Sequence, residues 1–313
     1  MAALVETMAY AGEVPWHGIG TEVPSDVSPD QMLKFAGLDW EVQKVPSYIN
    51  VNQETVFTGR HALVRSSDKS ILDIVTDDWN PVQNHDAFKF FNDFVYAGDM
   101  EMHTAGSLKS GQIVWALAKI KDSFELFGGD KVEGYLLFSN PHRFGQAIDI
   151  RFTPIRVVCN NTLTLALEKS TQNFVKVNHR TVFDPEKVKE TLGLAHEQLV
   201  KYKEMAEFLG SKRYTNESVR EYLDKLMPTL GKDRKEQNLL SVTADKALEL
   251  LETQPGAKYA EGSWWQPFNA VTYMTDHVLG RSADTRLTSS WYGANKNLKL
   301  KALNLAVEMA EAA

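Results

Sequence analysis

The chain has 313 residues, 43% of them hydrophobic and 24% charged, which is the composition of an ordinary globular protein with room for a sizeable core. Its length suggests about two domains, and a net charge of −7 excludes a protein that coats DNA indiscriminately while leaving room for a local site. The single cysteine, Cys159, excludes an internal disulfide or a multi-cysteine zinc site and fits a reducing cytoplasm. The opening MAALVETMAYAGEVPWHG lacks a basic leader and has Glu6 in its apolar run, so it does not read as a signal peptide. No uninterrupted apolar stretch reaches the length of about 18 residues that a membrane span requires.

The first forty residues mix Pro, Gly, Ser and Asp, which predicts turns and then a short helix with Asp30 near its start. Segments 40–48, 55–66 and 70–76, rich in Val, Ile, Trp, Tyr and Thr, read as strands. A helix is predicted from about Asn84 to Tyr96, with Phe88, Phe91 and Val95 on one face, Asn84 as its cap and Gly98 as its stop. MHTAGSL and QIVWALAKI, joined by KSG, read as a hairpin. VEGYLLFS and QAIDIRFTPIRVV supply two more strands, Pro154 favouring a sheet edge or bulge in the second, and NTLTLALEK reads as a helix directly after.

From Asp184, a good N-cap with Pro185 behind it, three-four apolar spacing runs from Val188 to Leu209, where Gly210 is expected to stop the helix. Further helices are expected at 216–230, 241–253, 264–279 and 296–311. The predicted fold class is α+β, an antiparallel sheet with packed helices followed by a mainly helical C-terminal portion. The boundary is placed near residue 182, giving an α+β core domain over 1–182 and a helical domain over 183–313.

Most catalytic motifs fail on inspection. HEQLV at 196–200 has Val200 where a second zinc-binding imidazole must stand. HGIG at 17–20 is too short for a dinucleotide loop, and Gly231-Lys232 lacks the upstream glycine of a P-loop. G-x-S-x-G is absent. Cys159, with His142 or His179 as a base, is a candidate nucleophile, but a buried thiol ending an apolar strand explains it more simply. No cofactor or metal site is expected. Trp115 reads as a core residue of its hairpin. The aromatic block from Trp264 to Tyr292 reads as packing of the helical portion, with some rings facing another subunit.

One region stands out. Between Asn140 and Arg180 there are six basic residues against two acidic ones, whereas the first hundred residues carry six against fifteen. Local positive charge mixed with Asn, Gln, Thr and His commonly faces nucleic acid. Arg143, Arg151, Arg156, Lys169, Lys176 and Arg180 are the candidates for phosphate contacts. Asn160, Asn161 and His179 are candidate hydrogen-bond donors, and Phe174 a candidate stacking ring. Asn160 and Asn161 are placed where a strand turns into a helix, a position whose free N–H groups suit an anion and which equally suits plain helix caps. The competing explanation of the whole run is a solvated sheet face with scattered ion pairs.

PWHGIG, WNPVQNHDAF, HTAGSLKSGQIVWALAK, RVVCNNTLTLAL and SWYGANKNLKLKAL together resemble the phage/plasmid-like family known as domain of unknown function 932, over essentially the whole chain. The resemblance implies a home on a bacteriophage, prophage or plasmid, hence the cytoplasm of a bacterial host cell, and carries over no site residue. A hairpin and further strands followed by a helix is also similar in order to the β-β-β-α heart of single-strand annealing proteins that phages encode, a likeness of fold alone. The expected function is therefore a non-catalytic, single-stranded-DNA-binding or annealing protein of recombination or replication, acting as a homo-oligomer. The alternatives are a metal-dependent enzyme acting on nucleic acid or nucleotides, using acidic residues near Asp73–Asp78 and Asp149, and a module that binds a host protein.

Overall fold

The computed structural model describes residues 5–12, 20–156, 161–162, 174–192, 195–237, 239–280, 286, 289–290 and 293–312. Within them the fold is α+β, with antiparallel sheets, packed helices and a helix-rich C-terminal region. The strands are β1 (Val5–Ala11), β2 (Thr21–Val23), β3 (Val42–Val51), β4 (Glu54–Arg65), β5 (Ile71–Val75), β6 (Met100–Leu108), β7 (Ile113–Leu126), β8 (Asp130–Pro141), β9 (Ile148–Arg156), β10 (Asn161–Thr162) and β11 (Phe174–Val177). The larger sheet runs in the order β10-β9-β8-β7-β6-β1-β2, with β11 also on β9, and the smaller one is β3-β4-β5. Only the β1–β2 pair is parallel among the pairings defined residue by residue.

The chain divides into two compact units. The first comprises residues 1–121, 135–152 and 174–194, and the second 122–134, 153–173 and 195–313. In the first unit, helix α1 (Pro29–Phe35) starts on a capping box. Ser28 Oγ accepts from Gln31 N at 3.2 Å, and Gln31 Oε1 accepts from Ser28 N at 2.9 Å. The helix expected from Asn84 to Tyr96 is two, α2 (Asn84–Lys89) and α3 (Asn92–Tyr96). Adjacent Phe90 and Phe91 are both buried, Phe90 with its ring centroid 5.3 Å from that of Phe138. One continuous helix turns successive side chains about 100° apart, so the break between α2 and α3 lets both rings enter one core. Asn84 is not the cap either. Its amide is buried and donates to the carbonyls of Leu38 and Trp40.

The β6–β7 hairpin forms as its sequence predicts, turning through Lys109, Ser110 and Gly111, all at positive φ. Trp115 lies in its core, and a Cβ at Gly106 would meet the Trp115 ring at 2.4 Å and Thr7 O at 2.5 Å. On β9, β11 pairs with Ile148–Arg151 and β10 with Ile155–Arg156, and Pro154 falls in the interval between the two on that edge.

In the second unit the helices are α5 (Ala195–Ser211), α6 (Asn216–Leu226), α7 (Lys232–Glu236), α8 (Val242–Thr253), α9 (Trp265–Tyr273) and α10 (Ala294–Glu311), while α4 (Pro185–Leu192) belongs to the first. Gly210 lies inside the last turn of α5 rather than beyond it. A Cβ there would stand 2.1 Å from the Phe127 ring, so close packing is what excludes a side chain. Trp264, Trp265 and Phe268 are buried in this unit, the Trp265 indole N–H donating to Asp130 Oδ2 at 3.1 Å. No helix among the described residues is long and apolar enough to cross a membrane.

Candidate nucleic-acid interface

Among the described residues of the basic run, the cations do not stand bare on one surface. Arg151 is buried on β9, where alternation puts it on the same face as Asp149 two residues before. Its guanidinium grips that carboxylate through Nε at 2.8 Å and through Nη2. Lys176 on β11 is exposed and stands opposite Asp149 in the strand register. Arg180 is exposed, its Nε 2.9 Å from Asp78 Oδ2. The Thr76 hydroxyl nearby, and then the Arg180 charge, hold the Asp78 carboxyl below its ordinary range. Arg143 is half-buried in the loop after β8. Asn160 and Lys169 lie outside the described residues, as do the side chains of Arg156, Asn161 and Phe174, whose backbones belong to β9, β10 and β11. The helix read from NTLTLALEK falls outside them beyond Thr162, and so does Cys159.

The two histidines of the run are core groups. His179 stacks on Trp79 with ring centroids 4.1 Å apart, and its Nδ1 donates to Asn80 O at 3.1 Å. Burial pushes its pKa down, so the ring is a neutral member of the core and not a cation for phosphate. His142 is fully buried, with Nε2 3.0 Å from Asn84 Oδ1. Burial, and then the neighbouring His179, push its pKa down to about 3. The acidic residues of the enzyme reading are likewise engaged. Asp149 holds Arg151 and Asp78 holds Arg180, while Asp73 Oδ2 accepts from Phe144 N at 2.8 Å. No group of three His, Cys, Asp or Glu among the described residues is placed to hold a metal.

A different surface of the first unit combines positive charge with exposed rings. It is built on the β3–β4 ribbon, which pairs in two stretches. Val42–Pro46 face His61–Arg65, and Tyr48–Val51 face Glu54–Phe57. Between the stretches Ser47 confronts Thr58, Gly59 and Arg60, with Gly59 at φ +73° and Thr58 Oγ1 donating to Ser47 O at 3.0 Å. Such a bulge bends a ribbon and re-aims what lies beyond it. β5 covers only His61–Val64, so the part from Tyr48 to Arg60 projects as a two-stranded arm. Asn52 and Gln53, both at positive φ, close the arm in the two-residue turn that suits strand twist.

Cross-strand partners share a face. Tyr48 with Phe57 and Asn50 with Thr55 occupy one side of the arm, and Ile49 with Val56 and Val51 with Glu54 the other. Tyr48 is 58% exposed and Phe57 47%, their ring centroids 5.6 Å apart, and the Phe57 ring lies 5.9 Å from His61. At the foot of the arm the Arg60 guanidinium lies 5.7 Å over the exposed ring of Phe144. Arg143 adjoins Phe144, and Lys109 approaches from the β6–β7 turn. Burial, and then the charge of Arg143, lower the Lys109 pKa, so these two cations are close enough to repel. Among the described residues no ion pair neutralises Arg60, Arg143 or Lys109. Two carboxylates stand at the foot of the arm, Asp73 accepting from Phe144 N at 2.8 Å and exposed Asp77 3.7 Å from His61 Nε2.

Of the residues of this surface, the sequence reading singled out only Arg143. Tyr48, Phe57 and Arg60 read as strand residues, Lys109 as part of a turn, and Phe144 carries no signal of its own. The signal for the arm is Tyr48-Ile49 and Val56-Phe57, two adjacent apolar pairs flanking a tight turn. A ribbon covered on one side only would alternate apolar with polar.

Comparison with known families finds one match. A family model described as Domain of unknown function (DUF932) matches residues 71–292. No curated protein and no solved structure matches the chain. The matched segment begins at β5, so it contains Lys109, Arg143 and Phe144 and leaves the arm outside.

Proposed function

This chain belongs to the DUF932 family of domains of unknown function, and from that premise we propose that it is a non-catalytic, single-stranded-DNA-binding protein of the annealing type, encoded by a phage or plasmid and acting as an oligomer in recombination or replication. The observation that carries the reading is the interleaving of Arg60, Arg143 and Lys109 with the exposed rings of Tyr48, Phe57 and Phe144 on one unit. Cations without carboxylate partners attract the phosphate backbone, and rings beside them accept bases whatever their sequence. The mobile-element origin rests on the resemblance of the sequence blocks quoted above.

Fluorescence anisotropy of labelled single-stranded and duplex DNA, at low and at physiological salt, tests the reading. The expected outcome is binding that prefers single strands and weakens steeply with salt, because each neutralised phosphate releases counterions. No binding at low salt overturns it. A protein-binding role is the second reading, favoured by Ile49, Val51 and Val56 on the other side of the arm, all exposed. A host protein that co-purifies after nuclease treatment supports that role.

A further inference from the structure

We propose that the arm is the element that recognises unpaired bases, its Tyr48–Phe57 face serving as a stacking platform for a single strand whose phosphates run over Arg60, Arg143 and Lys109. This rests on the nucleic-acid reading above and adds to it which residues distinguish a single strand from a duplex.

The argument begins with exposure. An aromatic side chain gains about 25 cal/mol for each Å² of apolar surface it removes from water, yet Tyr48 and Phe57 keep roughly half of theirs in solvent. They are held there by backbone geometry. The bulge at Ser47 carries the ribbon past the end of β5, and the tight turn fixes a register in which the two rings are cross-strand neighbours. The two rings, tilted by 56° to one another on the stretch of ribbon that β5 does not reach, present exposed apolar faces that a base can cover.

Charge selects the occupant. The segment from Pro46 to Arg60 contains one carboxylate, Glu54, and the register puts it on the Ile49–Val56 side. The aromatic side carries Tyr48, Asn50, Thr55 and Phe57 and no charge. Three residues beyond Phe57 on the same strand, Arg60 lies over the Phe144 ring, and Arg143 and Lys109 adjoin that pair, with Asp73 as the carboxylate bonded to the Phe144 N–H. A neutral aromatic platform continued by cations is complementary to a polyanion with free base faces. Duplex DNA satisfies the cations alone, because its bases are already stacked on one another.

The test measures affinity of the full chain for a labelled oligothymidylate and for a duplex of equal length, in the wild type, in Tyr48→Ala/Phe57→Ala and in the ring-keeping Tyr48→Phe/Phe57→Tyr. Base–aromatic stacking is worth about 1–3 kcal/mol per base, so the alanine pair is expected to weaken single-strand binding by about 10- to 100-fold. Duplex affinity stays constant, and the ring-keeping pair binds like wild type. Both positions are solvent-exposed, and an unchanged circular dichroism spectrum verifies the fold of each variant. Wild type that binds no nucleic acid at low salt overturns both this inference and the reading beneath it. Wild type that binds while the alanine pair binds equally well overturns the inference alone. So does an equal loss on single strand and duplex, which makes the arm a backbone contact. Sedimentation showing that the alanine pair dissolves an oligomer without changing DNA affinity assigns the platform to a second copy of the chain, and the inference falls.

Discussion

Arg151 and Arg60 both lie on strands of the first unit, but only one of them is in a position to meet a ligand. Arg151 stands two residues from Asp149 on a covered face, and its charge is consumed there. Arg60 lies at a bulge beyond the last rung of β5, and its guanidinium rests on an exposed ring. The same contrast separates His179, stacked on Trp79 in the core, from His61 at the foot of the arm. A high density of basic residues in a sequence is therefore a weaker guide to a binding surface than whether each cation is held in an ion pair in the fold. In the run from Asn140 to Arg180, Asp149 on the same strand pairs with Arg151 and Asp78 from a distant loop pairs with Arg180. Neither spends its charge on the arm.

The contrast breaks if the buried pair turns out to be dispensable. Asp149→Ala leaves the Arg151 guanidinium buried without its carboxylate, which should destabilise the protein by about 3–5 kcal/mol. Urea unfolding of this variant beside wild type measures it, and a neutral effect would mean that Arg151 is free to swing outward. Acid supplies the next largest effect. The folded-state pKa of His142 lies below the unfolded value of about 6.5, so the unfolded chain binds the proton more tightly. Stability is full above that pH and is lost as pH falls toward about 3, at a limiting slope of about 1.4 kcal/mol per pH unit from this group. Unfolding at pH 7, 6 and 5 reads that slope, and His142→Gln should flatten it. The smallest effect sharpens the other side. Arg143→Ala should lower the slope of log affinity against log salt by about one for either form of DNA, and Arg151→Ala should leave it unchanged among molecules that remain folded.

Where the sequence reading succeeded, the cause was local. A short helix with Asp30 in its first turn forms as expected, and the KSG turn between two apolar runs closes β6 on β7. Asp184 accepts from the N–H groups of Glu186 and Lys187 and starts α4 as its position before Pro185 suggests. Where it failed, a partner distant in the chain decided. Asn84 is a good cap by composition, but Leu38 and Trp40 offer it carbonyls in the core. Gly210 looks like a helix stop, but Phe127 needs the space. Arg151 looks like a phosphate ligand until β9 is covered.

The arm shows the division most plainly. The sequence by itself placed strands at 40–48 and 55–66, because β propensity acts over a few residues, whereas the extension of the first to Val51 and the two-residue turn at Asn52 and Gln53 emerge only from the pairing. It also determined the α+β class and the helical C-terminal region, through periodicity that a single chain displays without partners. Only the tertiary structure decided that β5 ends at Val75, opposite His61, that the ribbon continues past it uncovered, and that Arg60 and Phe144 come together there. Exposure is a property of what packs against a strand, and that depends on residues far away in the chain.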